Sequence, residues 1–256
     1  MDKNLLWFSD YNKKYSGNEP AFYNVAELPI AQLLEKNYAA ICEELKPLWL
    51  EKDNTLFGAY DTFDDKQFPP QSWRKLVLKV WGLNNKPALK RFPVTASLLN
   101  QSSSILSCFI TKTAPNSLIK PHCGETNAHL RIHLGLKVPD SAGDLCAMEV
   151  LNTTVKWQNG KTFAFLDAHE HHVWNRTNSE RYVLIVDVIR PEFKHKRSFI
   201  CIRVIVSQLF FYSLSLAKVP KLHLVPSAML TIIAYIAYFP LLAIVVIHNR
   251  IGLFKL

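Results

Sequence analysis

Twenty-four consecutive residues, Leu224 to Ile247, carry no charge and are dominated by Leu, Ile, Ala, Val, Tyr and Phe. A helix of that length crosses roughly 30 Å of hydrocarbon, so the stretch predicts a transmembrane helix, with a buried core helix as the alternative. Pro240 inside it is tolerable, because neighbouring groups can re-satisfy the freed carbonyl. Tyr235 and Tyr238 fall near mid-span, away from the headgroup level where such rings usually collect. A second apolar stretch, Val204 to Ala217, is 14 residues long and bounded by Arg203 and Lys218. It is short for a span and reads as an interfacial segment or one arm of a hairpin.

Charge separates this tail from the rest. Of 30 Lys and Arg residues, residues 194–256 hold eight and no acid, leaving 22 basic against 21 acidic residues in the first 193. The formal charge of +9 is therefore a property of the tail, where it would attract anionic lipid headgroups, and it excludes a nucleic-acid footprint on the remainder. The opening residues MDKNLLWFSD have no secretory pattern, and the five cysteines (Cys42, Cys108, Cys123, Cys146, Cys201) form an odd set without a CxxC. Both features lead us to expect a cytoplasmic soluble part with reduced thiols.

Residues 29–46 place Leu33, Leu34, Tyr38, Ile41 and Leu45 at helical spacing, with Pro47 as the expected stop. Trp73 to Val80 alternates like a strand, and Ala96 to Leu99 reads as a short helix. From Ser104 onward short β-rich runs follow at close spacing: SILSCFIT, LRIHLGLKV, CAMEVL, KTFAFL and YVLIVDVI. The order predicts an α+β, mainly β chain: an N-terminal helical and strand extension over 1–100, a sandwich or small-barrel core over 101–193, and a membrane-anchoring tail over 194–256.

The core carries the candidate chemistry. In Leu130 to Val138 every even position is apolar, so Arg131 and His133 share the opposite face of a strand. His122 stands upstream in PHCGETN, read as a loop, and DAHEHHVWN supplies His169, His171 and His172. Histidines from two such segments can converge on a divalent metal. Spacing alone leaves open surface or hydrogen-bonded histidines, a solvated strand face for Arg131 and His133, and either role for Arg181.

Taken together, PHCGETNAHLRIHLGL (Pro121 to Leu136), WQNGK (Trp157 to Lys161), FLDAHEHHVWN (Phe165 to Asn175) and RYVLIVDV (Arg181 to Val188) resemble the aspartyl/asparaginyl β-hydroxylase family of Fe(II)- and 2-oxoglutarate-dependent oxygenases. The resemblance implies a double-stranded β-helix, a jelly-roll relative, with His122 and His171 holding Fe(II). It implies Arg181 on the distal carboxylate of 2-oxoglutarate, Arg131 and His133 as further cosubstrate contacts, an assisting hydroxyl from Thr111, and Asp167 as an acid beside a metal-bound water. Gly124 stands where most such oxygenases carry a carboxylate ligand two residues after the first His, a gap that the aspartyl/asparaginyl hydroxylases share. Glu125 is the adjacent acid.

The implied reaction is O2- and 2-oxoglutarate-dependent hydroxylation of an unactivated C–H bond. A membrane lipid is the expected substrate, suggested by the join of a soluble oxygenase to a basic, apolar tail and favoured because no secretory pattern places the pocket beside extracellular domains. Aspartyl or asparaginyl side chains of a protein or peptide are the alternative. A non-catalytic jelly-roll binding protein and a cupin-like metal hydrolase are weaker readings, since the metal- and carboxylate-binding groups are all present.

Overall fold

The structure, a computed structural model, describes residues 5–10, 13–50, 57–59, 72–139, 143–217 and 225–252. Strands β1 (Phe22–Tyr23), β2 (Gly58–Ala59), β3 (Trp73–Val80), β4 (Leu83–Asn84), β5 (Ile105–Thr113), β6 (Ser117–His122), β7 (His129–Lys137), β8 (Cys146–Val150), β9 (Thr153–Lys156), β10 (Thr162–Phe165), β11 (His171–Asn175) and β12 (Arg181–Ile189) form two antiparallel sheets. The larger runs β1-β10-β7-β12-β5-β3-β2, with β4 on β3, and the smaller runs β6-β11-β8-β9. This is the double-stranded β-helix expected.

The larger sheet is covered on both faces, which is why β5 and β12 are buried at all nine positions. Helices α1 (Pro29–Lys36), α2 (Tyr38–Leu45), α3 (Pro47–Leu50), α4 (Lys86–Arg91) and α5 (Pro93–Asn100) cover one side. There Leu34, Ile41 and Leu98 pack on Leu130, Ile132, Leu134, Leu184 and Val186. The smaller sheet covers the other side, where Ile119, Met148 and Val173 meet Phe109, Phe165, Val183 and Ile185. Because side chains alternate along a strand, the odd positions of β7 and β12 face the space between the sheets. Arg131, His133 and Arg181 are thereby carried inward.

Three expectations change in detail. The helix expected over 29–46 is two, broken at Asn37 (φ −101°, ψ 11°), whose amide side chain donates to Leu33 O at 2.8 Å. Pro47, expected as a stop, opens α3, where proline's fixed φ is compatible with a first turn. The division at residue 100 separates no layers: β1 to β4 all belong to the larger sheet, with β3 hydrogen-bonded to β5.

After a 3-10 segment (Pro191–Lys196) come α6 (Arg197–Leu216) and α7 (Ser227–Ile251). Both are long and apolar enough to be candidate membrane spans. The expected 14-residue stretch is thus part of a 20-residue helix; Leu224, the first residue of the expected span, lies outside the described residues. Phe199 stacks on Tyr235 at 4.5 Å, while Arg203 reaches Thr231 and Ser227, so the two helices form an antiparallel hairpin. Ile200, Cys201 and Val204 pack into a cluster with Trp81, Leu106 and Phe193, fastening α6 to the domain. Arg203 is fully buried and pairs with Asp10 at 2.8 and 2.9 Å. The far end of α7 is tied as well: His248 and Asn249 bond to the carbonyls of Asn84 and Gly82 at 2.9 and 2.8 Å.

Candidate active site

His122 and His171 face each other across β6 and β11. They are register partners, and their ring centroids lie 4.2 Å apart. His122, expected in a loop, is the last residue of β6, and His171 is the first of β11. Each ring is held through Nδ1, against Lys120 O at 2.9 Å and His169 O at 2.8 Å. A carbonyl only accepts, so Nδ1 carries the proton and the lone pair sits on Nε2, the arrangement that orients an imidazole for a metal. Desolvation, reinforced by the neighbouring His171 ring, pushes His122 down to about 3, and burial lowers His171 as well. Both are neutral near pH 7.

The neighbouring histidines are structural. His169 is buried with Nε2 against Glu19 O at 2.8 Å, and His172, one step along β11, turns outward beside Trp174. Among the described residues no group of three or more His, Cys, Asp or Glu side chains is arranged to hold a metal. The donor set is therefore the imidazole pair, with Asp167 Oδ1 3.6 Å from His171 Nε2.

Asp167 is fully buried and is fixed by Arg131, whose guanidinium donates to Asp167 Oδ1 at 2.6 Å and to both oxygens of Asp187 at 2.7 and 3.0 Å. Burial alone would raise Asp167, but Arg131, His129 and His171 override it and hold the carboxyl well below its usual range. Arg131, expected to contact cosubstrate, lines the pocket while spending its donors on these two acids. The adjacent Gly124 donates its N–H to Asp167 O at 2.7 Å, and a Cβ there would stand 1.7 Å from Asp167 Oδ2. The space where a ligand carboxylate at position 124 would begin is filled by Asp167. Glu125 accepts from Gln208 of α6 at 3.2 Å.

At the other end of the pocket Arg181 is buried, with its guanidinium 3.8 Å over the Trp157 ring. It donates to Thr113 Oγ1 at 2.7 Å and to Cys146 Sγ at 3.7 Å, while its Nε has no partner. Among the described residues no carboxylate pairs with it. His133 accepts from the Trp157 indole at Nδ1, 3.2 Å away, which places its proton on Nε2; that buried donor also has no partner. Burial, reinforced by Arg131 and Arg181, holds His133 well below its usual pKa. Thr111 Oγ1 donates to Val183 O at 3.2 Å.

One cavity between the sheets is lined by Thr111, His122, Arg131, His133, His171 and Arg181, so the expected site residues converge, with Asp167 directly behind the histidines. Thr113, Trp157, Asp187 and His129 are the residues that sequence reasoning did not assign. Asp187 is the only acid in a nine-residue buried strand, and that isolation was the available signal.

The sequence pattern of the aspartyl/asparaginyl β-hydroxylases matches residues 35–191. The chain belongs to the aspartyl/asparaginyl β-hydroxylase family. It is 32% identical over 190 residues to an ornithine lipid ester-linked acyl 2-hydroxylase of Rhizobium tropici, covering 73% of this chain and 67% of that protein. It is also 32% identical over 175 residues to the mouse aspartyl/asparaginyl β-hydroxylase, covering 64% of this chain and 22% of that longer protein. Among solved structures, a predicted oxalate decarboxylase of Thermotoga maritima superposes at a TM-score of 0.33 with 12% identity, over 54% of this chain and 97% of that one. The fold assignment rests on the strand order rather than on that likeness. Membership makes the protein a hydroxylase-family enzyme, and two of its helices are long and apolar enough to cross a membrane.

Proposed function

We propose that the protein is an Fe(II)- and 2-oxoglutarate-dependent dioxygenase that hydroxylates an unactivated C–H bond of a membrane lipid. The observation that carries the proposal is one pocket holding two oriented neutral imidazoles at one end and an unpaired buried guanidinium at the other.

The residues fit such groups. Two arginines and no acid line the pocket, and the orphaned Arg181 Nε and His133 Nε2 are donors that an anion would satisfy, recovering a desolvation penalty of about 1–3 kcal/mol each. His122 and His171 would hold the metal through Nε2. Arg181, steadied by Thr113 and the Trp157 face, would grip a terminal carboxylate with a planar fork. His133 would donate from Nε2 to a second oxygen of the cosubstrate. Asp167, anchored by Arg131, would accept a hydrogen bond from a water beside the histidines. Bound together, Fe(II), 2-oxoglutarate and O2 supply an oxidant for C–H hydroxylation, and 2-oxoglutarate leaves as succinate and carbon dioxide. The protein's part is to orient these groups and keep bulk water out of the space between the sheets.

The lipid is supported by the apolar helix pair docked on the domain and by the lipid-hydroxylating relative. Aspartyl or asparaginyl residues of a protein are the second reading, supported by the mouse relative. Lipid mass spectra of cells with and without the gene test the choice: a lipid species heavier by one oxygen, present only with the gene, is expected. An unchanged lipid profile beside a hydroxylated Asp or Asn in a protein would replace the lipid reading.

A further inference from the structure

A second cavity lies apart from the catalytic pocket and shares no lining residue with it. It runs between the N-terminal segment, the start of α6 and the first half of α7. Its wall is aromatic, built by Trp7, Phe8, Phe199, Tyr235, Tyr238 and Phe239. Its polar edge carries two lysines, Lys13 and Lys196, beside His195, and among the described residues no acid lines it. Lys196 and His195 are exposed, and no ion pair to Lys13 or Lys196 is formed among the described residues. The same helix that builds the wall presents Ile232, Ile236 and Phe239 to the outside, at 59, 75 and 77% exposure. The groove therefore opens directly onto a surface that only hydrocarbon would cover comfortably.

We infer that this groove is a binding site for one anionic membrane phospholipid, its acyl chain on the aromatic wall and its phosphate among Lys13, Lys196 and His195. The charge arrangement selects the occupant. An apolar slot without cations would take any acyl chain, whereas a cluster of unpaired cations at the mouth of an aromatic slot matches a headgroup that carries negative charge next to its chains. The site is independent of the dioxygenase reading, since it uses none of the catalytic residues. It gives the tail's basicity a specific role: a bound lipid would hold the hairpin and the domain at one depth in the leaflet.

The test uses the full chain in mild-detergent micelles doped with dioleoyl phosphatidylglycerol or dioleoyl phosphatidylcholine, which share acyl chains and differ in headgroup charge. Native mass spectrometry should show one phosphatidylglycerol retained per chain and at least tenfold weaker retention of phosphatidylcholine. Lys13→Glu/Lys196→Glu should weaken phosphatidylglycerol at least tenfold, while Lys36→Glu/Lys90→Glu, an equal charge change on exposed helix surfaces, should shift it less than twofold. Phosphatidylglycerol with brominated acyl chains should quench tryptophan emission, and Trp7→Phe, which leaves the charges untouched, should remove that quenching. Equal retention of the two lipids, an equal loss in both charge variants, or quenching unaltered by Trp7→Phe would overturn the inference. Lipid retention by a chain that makes no succinate would count against the dioxygenase alone; succinate from a chain that retains no phosphatidylglycerol would count against the groove alone.

Discussion

The carboxylate of Asp167 occupies the place where a side chain on Gly124 would start, with 1.7 Å between Asp167 Oδ2 and a Cβ built on the glycine. The two positions are exclusive: a carboxylate can be supplied from residue 167 or from residue 124, and not from both without movement. Gly124→Ala is therefore expected to displace Asp167 and to lower succinate formation at least tenfold. Gly124→Asp should do the same rather than create a third iron ligand, and iron affinity measured by titration should not rise. Tighter iron binding in Gly124→Asp would show that the carboxylate moves aside at little cost.

His171→Ala should abolish iron binding, whereas His169→Ala and His172→Ala should largely preserve it. The alternation of β11 supplies the reason, since His171 faces His122 while His172 turns to Trp174. His169 instead ties the strand's approach to Glu19 O, so its substitution should appear in thermal stability. An iron titration showing the reverse order would overturn the assignment of the metal-holding pair.

Arg181→Lys should weaken 2-oxoglutarate far more than iron. A lysine keeps the charge and loses both the two-pronged geometry and the stacking on Trp157, 3.8 Å beneath the guanidinium. Calorimetric titration with the two ligands separately reads the difference, and equal 2-oxoglutarate affinity in both proteins would remove Arg181 from that role.

Asp187→Asn should cost about 3–5 kcal/mol in urea unfolding, the usual penalty for breaking one side of a buried ion pair, because the change removes the charge and turns one of the two oxygens that accept from Arg131 into an NH2 that faces the guanidinium donor to donor. The network also sets a pH dependence. Burial opposes charge on His129, but Asp187 and Asp167 prevail and raise its pKa. The stabilisation from its imidazolium is complete below the unfolded-state value of about 6.5 and is lost as pH rises through the higher folded value. Unfolding free energy should therefore decline above about pH 6.5, and His129→Asn should flatten that decline. Parallel pH profiles in the two proteins would contradict the charged His129.

Much of the fold and of the site is legible in the residues themselves. The strict alternation of β7 is enough to put Arg131 and His133 on one face, and the apolar runs of β5, β8, β10 and β12 fall where expected. The strands that carry His122 and His171 are the hidden ones. In β6 (SLIKPH) and β11 (HHVWN) the inward positions are partly taken by His122 and His171, so the period-2 hydrophobic signal fails where chemistry replaces packing. Thr113 is easily passed over for Thr111 because both point the same way on β5, and only the register with Arg181 separates them. The hairpin's attachment is invisible for another reason: Arg203 reads as the boundary of an apolar stretch, whereas it lies buried against Asp10, 193 residues earlier in the chain.

The central claim is an iron held by His122 and His171 and serviced by a dicarboxylate on Arg181. Purified full-length protein in lipid vesicles, supplied with Fe(II), carbon-labelled 2-oxoglutarate and O2, should release labelled succinate, and its His122→Ala and Arg181→Ala variants should release none above the background of free iron. Equal succinate from all three proteins, or none from the unaltered chain with its metal demonstrably bound, would contradict the account.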